Sequence, residues 1–212
     1  MKTRALVFLL LSLLLFAGCD DEQLDLQTNL ETATEYVIGE VAYLDIFDYV
    51  DKALQDSLLN TQGYALIDSA MVTLGAGGLS ANLDFGSGVQ CPDGKYRSGS
   101  ISVLLTAPYI QDTTSLILSL NSYSVDNRTF LGSIGIDKDF TGINKDMVIE
   151  VAGGSFSDSL GNTSTWQSVH TLRWSAGTNT PGDMSDDTYN VLSGSSASGT
   201  AYNGQAFSAS IT

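Results

Sequence analysis

From Tyr64 onward no stretch keeps a helical spacing of apolar residues. Short alternating or apolar runs are instead broken every few residues by Gly, Asn, Asp and Ser. Alternation with a period of two puts one set of side chains on each face of a strand, so such a segment can bury a sheet face but not a helix stripe. The runs 65–74, 79–85, 98–107, 115–125, 129–136, 147–151, 165–174, 189–193 and 206–212 read as strands. Turn chemistry joins neighbours: in Pro92-Asp93-Gly94-Lys95 the proline presets φ and the glycine supplies a positive φ, and 158–162 and Asn203-Gly204 follow the same logic. Strands linked this way pair antiparallel with their neighbours. The expected fold is mainly β, an antiparallel hairpin meander forming an extended sheet or a sandwich.

A different period precedes the strands. Val37, Val41, Leu44, Phe47, Val50, Leu54 and Leu58 recur at intervals of three or four, while Glu35, Glu40, Asp45, Asp48 and Asp51 lie largely off that stripe. Thr32 or Thr34 can cap the start, and 60–63 supplies turn formers at the end. One amphipathic α-helix from about 33 to 59 is predicted, its apolar stripe packing on the sheet.

The chain begins with Lys2 and Arg4, an apolar run over 5–16, and then Ala17 and Gly18 before Cys19, the order of a secretory signal. The run is too short to cross a hydrocarbon core of roughly 30 Å, which takes about 20 helical residues. Leu15-Phe16-Ala17-Gly18-Cys19 resembles the lipobox of bacterial lipoproteins, with Phe16 where leucine is commoner. The resemblance implies cleavage before Cys19 and acylation of that residue; several acyl chains, at about 0.8 kcal/mol per buried methylene, hold a protein on a bilayer. Asp20, Asp21 and Glu22 resemble the acidic surface-export signal of Bacteroidota lipoproteins, which implies the outer face of the outer membrane; a plain acidic tether is the alternative. The expected organisation is a signal over 1–18, an acidic tether over 19–32, and a helix plus β domain over 33–212. Phe207, Ala209 and Ile211 alternate like a strand under construction, so the native chain is expected to extend further.

The stretch from Asp84-Phe85-Gly86 through Cys91-Pro92-Asp93-Gly94-Lys95-Tyr96-Arg97, then Tyr123-Ser124-Val125, Trp174, and Tyr202-Asn203-Gly204 through Thr212, resembles an uncharacterised family of Bacteroidota β-rich surface lipoproteins. The likeness covers most of 33–212. It implies a helical segment followed by long antiparallel hairpins, and brings no activity with it.

Nine Lys and Arg stand against 24 Asp and Glu, a net charge of −15. Loss of residues 1–18 leaves seven cations against the same 24 acids, or −17. Such a chain repels phosphate backbones, so nucleic acid is not an expected partner.

Candidate chemistry is sparse. Once Cys19 is acylated, Cys91 is the remaining thiol; as a nucleophile it would need a base, and His170 is the sole histidine. The alternatives are a structural cysteine beside a turn and a hydrogen-bonded strand histidine. Asp137-Lys138-Asp139-Phe140-Thr141-Gly142 begins like a calcium loop, with Asp137, Asp139 and Thr141 as candidate ligands, but Val148 stands where the bidentate glutamate belongs. Asp183, Asp186 and Asp187 form a second acidic loop of less specific spacing. No metal or other cofactor is predicted. Trp166 and Trp174, with Tyr189 and Tyr202, are candidate glycan contacts if they line an exposed strand face, and core residues otherwise. Asp followed by Ser or Thr and a small apolar residue or Thr resembles the O-glycosylation acceptor of exported Bacteroidota proteins, making Ser57, Ser69, Thr113 and Ser159 candidates.

The sequence therefore leads to an expectation of a non-enzymatic, lipid-anchored outer-membrane surface protein with a structural or binding role. Its partners would be the membrane, through the acyl chains, and a glycan or envelope protein. A carbohydrate-binding module is the first alternative and a hydrolase the second.

Overall fold

The computed structural model describes residues 21–180 and 186–212. The signal segment 1–18, Cys19, Asp20 and Asp183 lie outside the described residues, as do the side chains of Asp21 and Glu22. Two helices come first, α1 (Asp21–Gln55) and α2 (Ser57–Gln62). Strands follow: β1 (Tyr64–Ile67), β2 (Ala70–Leu74), β3 (Ser80–Asp84), β4 (Val89–Gln90), β5 (Tyr96–Leu105) and β6 (Thr113–Val125). The remainder are β7 (Arg128–Asp139), β8 (Lys145–Ser157), β9 (Thr163–Ala176), β10 (Thr188–Val191), β11 (Ser196–Thr200) and β12 (Ala206–Ser210).

All twelve strands belong to one antiparallel sheet in the order β1-β2-β3-β5-β6-β7-β8-β9-β11-β12. Two short strands share an edge with a neighbour: β4 pairs the start of β5, and β10 pairs the end of β9 beyond β11. The mainly β meander read from the alternation is therefore present, as a single sheet. The expected run 65–74 is two strands, because Asp68 and Ser69 both take positive φ (43° and 77°) and close a two-residue hairpin between them. Strand β8 also runs on past Val151 to Ser157, through Gly153 and Gly154.

Bulges bend the sheet. Pairing shifts register between Ser98 and Ser100, between Leu131 and Ser133, and between Val151 and Gly154. Gly132 lies in the second of these with φ 124°, and a Cβ there would come within 2.8 Å of the Gly154 Cα. Gly99 sits in the first with φ 78°, where a Cβ would meet the Ser122 carbonyl oxygen at 2.3 Å. These close backbone approaches curve the long strands around α1.

One face of the long strands β5 to β9 packs on the helix. Ile101 and Val103 of β5, Leu116 and Leu118 of β6, Ile134 and Ile136 of β7, Met147 and Ile149 of β8, and Trp166 and Leu172 of β9 are buried together with Tyr43, Ile46, Val50, Ala53 and Leu54 of α1. Each such aliphatic side chain contributes about 1.5–3 kcal/mol on burial. No helix among the described residues is long and apolar enough to cross a membrane.

Two helix expectations need correction. The helix begins at Asp21 rather than near 33, so 21–32, read as a flexible tether, is helical. That segment holds no Gly or Pro, so it continues the helix without an apolar period. The other end breaks at Asp56, whose carboxylate caps α2 by accepting from the Leu59 amide (2.8 Å), and Gly63 closes α2 in the left-handed region.

The second correction concerns which face is buried. Phe47, Val50 and Leu54 are buried as expected, but Val37 and Val41 are each 54% exposed and Leu58 is exposed as well. The buried face carries Tyr36, Gly39, Tyr43, Ile46 and Tyr49, and it turns Glu35, Glu40, Asp45 and Asp51 toward the sheet. Those acids are held there by donors on the concave face, which an apolar count does not see: Ser164 for Glu35 (2.5 Å), His170 for Glu40 (3.1 Å) and Arg97 for Asp45 (2.7 Å).

Candidate functional site

Where α1 ends, the sheet continues past it, and the space left over becomes a cavity of about 320 Å³. Asp51 and Gln55 come from the last turns of α1. The β5–β6 connection contributes Tyr109 to Asp112, the end of β7 gives Lys138 and Phe140 follows it, β8 begins with Lys145, and Trp174 and Tyr189 stand on β9 and β10.

Strand alternation places each of these. On β7 the inward row Phe130, Ile134, Ile136 ends in Lys138, which is buried although charged. Trp174 ends the inward row of β9, after Trp166, Ser168, His170 and Leu172. Its indole stacks on Tyr189 (6.1 Å between centroids, 20° between planes), tilts against Phe140 (5.6 Å), and donates to Asp187 Oδ1 at 2.9 Å.

Asp51 is 2% exposed at the floor of this space. Its carboxylate accepts from the Tyr109 hydroxyl and from Gln55 Nε2 (2.9 Å). Burial pushes its pKa up to about 6, against the opposing effect of those two hydrogen bonds. Burial likewise raises Tyr109 well above its ordinary value, with the Asp51 charge adding to the effect, and raises Tyr189. Lys138 is lowered by burial, with Asp51 and Asp112 pulling the other way. Its Nζ donates to the Tyr109 carbonyl and lies 4.1 Å from the Tyr109 ring centre and 5.1 Å from that of Phe140. Lys145 Nζ lies 5.2 Å from the Trp174 ring and 5.7 Å from Phe140.

Aromatic walls with a few convergent charged groups are the general form of a small-ligand site, and the volume is at the lower end of the usual range of about 300–1,000 Å³. A larger hollow of about 700 Å³ lies over β8, β9, β11 and β12, lined by residues such as Ser196, Ser198, Ser208 and Ser210 with Glu150 and Gln167. No aromatic side chain lines it; its walls are small and polar residues.

Of the four candidate glycan aromatics, Trp174, 7% exposed, and the half-buried Tyr189 meet in the rim cavity. Trp166 does not join them: it is buried under α1 against Gly39, Tyr36, Tyr43 and Phe207, which makes it a core residue. Tyr202 is exposed on the β11–β12 connection, where its amide donates to Ser164 Oγ (3.0 Å), and it does not line the cavity.

The calcium-loop candidates fall on and just after a strand. Strand β7 runs through Asp139, so Asp137 and Asp139 alternate outward on an extended strand, paired with Val148 and Asp146. Asp139 instead accepts from the Thr141 amide (3.1 Å) and hydroxyl (2.7 Å), which hold its pKa below the usual carboxylate range. Among the described residues no group of three or more His, Cys, Asp or Glu is placed to hold a metal ion. In the second acidic loop, Asp186 accepts from Thr180 and Asp187 from Trp174.

Cys91 is a buried free thiol opening the Pro92-Asp93-Gly94-Lys95 turn, beside Tyr49 and Arg97. His170 pairs with Glu40 while Cys91 lies beside Tyr49 and Arg97, so the two residues have different partners. Arg97, fully buried, is held by Asp45 and Asp93 and lies 5.0 Å from the Tyr49 ring centre. Among the glycosylation candidates, Ser57, Thr113 and Ser159 are exposed, and Ser69 is half-buried at its hairpin tip.

Sequence reading missed Asp51, Tyr109 and Lys138 as site residues. By sequence Asp51 lies off the apolar stripe of the helix, and Lys138 is one residue of the calcium-like run. The signal available for Lys138 was its register with Phe130, Ile134 and Ile136. No protein-family model, curated protein or solved structure matches the chain.

Proposed function

We propose that this protein is a non-enzymatic, lipid-anchored surface protein of the outer membrane whose β body binds a carbohydrate at the helix-end cavity. The observation that carries the binding reading is the stacked Trp174–Tyr189 pair set beside Lys138, Lys145 and Asp51. Flat aromatic faces cover the apolar C–H face of a sugar ring, and fixed polar groups at the edge take its hydroxyls. The lipobox-like run ending at Cys19 and the acidic Asp20, Asp21 and Glu22 support the anchor and the outward location.

The test is titration of a glycan array with the full chain and with Trp174→Ala. Binding that is lost in Trp174→Ala and kept in Leu172→Ile, a change of similar volume on the same strand face, supports the site; a wild-type protein that binds no glycan overturns it. For the anchor, Cys19→Ala must leave the membrane fraction, and a variant that stays there removes the lipid from the account.

A hydrolase is the second reading, favoured by one observation: Asp51, with a pKa raised to about 6, shares the cavity with Asp112. The binding reading is preferred because the Asp51 carboxylate is already taken by Tyr109 and Gln55. Release of reducing sugar by the wild type, abolished in Asp51→Asn, would decide for the hydrolase.

A further inference from the structure

Cations are scarce in this chain, nine against 24 acids, and most of those in the β body and helix are neutralised. Lys52 pairs with Asp68, Lys95 with Asp45, Arg97 with Asp45 and Asp93, and Arg173 with Asp146. Among the described residues three cations stand outside any ion pair. Arg128 is one, at the start of β7. The other two, Lys138 and Lys145, both line the helix-end cavity.

Their surroundings explain how they are kept there. Each ammonium group lies against two aromatic rings, Tyr109 and Phe140 for Lys138, and Phe140 and Trp174 for Lys145. Attraction to a ring face fixes a cation without using its N–H groups, whereas a carboxylate partner would consume them. Lys138 gives one donor to the Tyr109 carbonyl and keeps two. Lys145 Nζ donates to no group among the described residues. The acids on the same cavity are differently disposed: Asp51 is buried and hydrogen-bonded, and Asp112 is on the exposed β5–β6 connection.

We propose that the cavity, taken as the sugar site argued above, selects a sugar residue carrying an anionic group, which sits between Lys138 and Lys145 while its ring lies against Trp174 and Tyr189. The shared chemistry is a sugar-borne oxyanion, a uronate carboxylate or a sulfate ester, accepting from two ammonium groups in a partly dry site. Charge-assisted hydrogen bonds of this kind are the strong ones, and two lysines without carboxylate partners locally offset the protein's own negative field.

The experiment is calorimetric titration of the full chain with three probes: tri-galacturonate, sulfated tri-galactose and neutral tri-galactose. The proteins are wild type, Lys145→Ala, Lys145→Arg and Trp174→Ala. The expected result is a preference for one anionic probe over the neutral one, weakened about tenfold or more in Lys145→Ala, largely restored in Lys145→Arg, and reduced by added salt. Which anionic probe wins assigns the carboxylate or the sulfate. Trp174→Ala should weaken every probe, because it removes the ring platform. Equal binding of neutral and anionic probes, unchanged in Lys145→Ala, overturns the anion proposal and leaves the sugar site standing. No binding of any probe by folded wild type overturns both.

Discussion

Trp166 and Trp174 stand on the same face of the same strand, and the molecule uses them in opposite ways. Above Trp166 lies the body of α1, and Gly39 lets the helix backbone come down onto the indole: a Cβ there would be 2.3 Å from Trp166 Cε3. Near Trp174 the helix is ending, and the indole meets Tyr189, Phe140 and a cavity. Periodicity gives both residues an inward direction; only the length and tilt of a distant helix decides which becomes core and which becomes wall.

The comparison can be broken most forcefully at Trp166. Trp166→Ala should cost about 3–5 kcal/mol in urea unfolding, while Trp174→Ala should cost less, because the second ring lines a cavity instead of lying under the body of α1. Equal losses would mean that the two rings are alike after all.

Asp51 gives the next largest effect, read against pH. Its carboxyl is raised from 3.8 to about 6, so the folded state holds this proton more tightly than the unfolded chain does. The stability that the protonated form contributes is fully present below pH 3.8 and is lost as pH rises through about 6. Wild type should therefore weaken relative to Asp51→Asn by on the order of 2–3 kcal/mol between pH 4 and pH 7, measured as a difference of chemical unfolding curves. A flat difference would remove the buried-carboxylate account.

Gly39→Ala tests the clamp directly. On an exposed helix this change stabilises by about 1 kcal/mol. Here the added methyl meets the indole, and the expected result is a loss of about 1–3 kcal/mol in thermal or urea unfolding. The sign alone is diagnostic. The smallest effect is expected at Val37→Ser on the outward face of α1, within about 0.5 kcal/mol of wild type; a large loss would restore Val37 to the core, where the apolar spacing first placed it.

These residues show what could be read from the sequence and why the rest could not. The meander, its turns at 92–95, 158–162 and Asn203-Gly204, and most strands follow from local alternation and turn chemistry, each of which acts over a few residues. The helix was legible as a helix but not in its rotation. Val37 and Val41 match a stripe, yet the sheet opposite Glu35, Glu40 and Asp45 supplies Ser164, His170 and Arg97, and this pairing of polar groups sets which side faces in. The cavity was legible only in Trp174 and Tyr189. Asp51, Tyr109 and Lys138 become neighbours through the end of α1, a connecting loop and a strand terminus, which no spacing within one segment records.

The polar seam between helix and sheet also bears on the order of assembly. Strands pair mostly with the strand made just before, so the sheet can grow hairpin by hairpin over short loops. The helix is made before any of them, yet Glu35 waits for Ser164, 129 residues later, and Tyr43 for Ser155, 112 residues later. Closing so long a span costs conformational entropy that the local hairpins do not face. Complete seating of α1 is therefore expected only after β8 and β9 have formed, and the rim cavity, which needs the end of α1 beside β10, is expected to come with it.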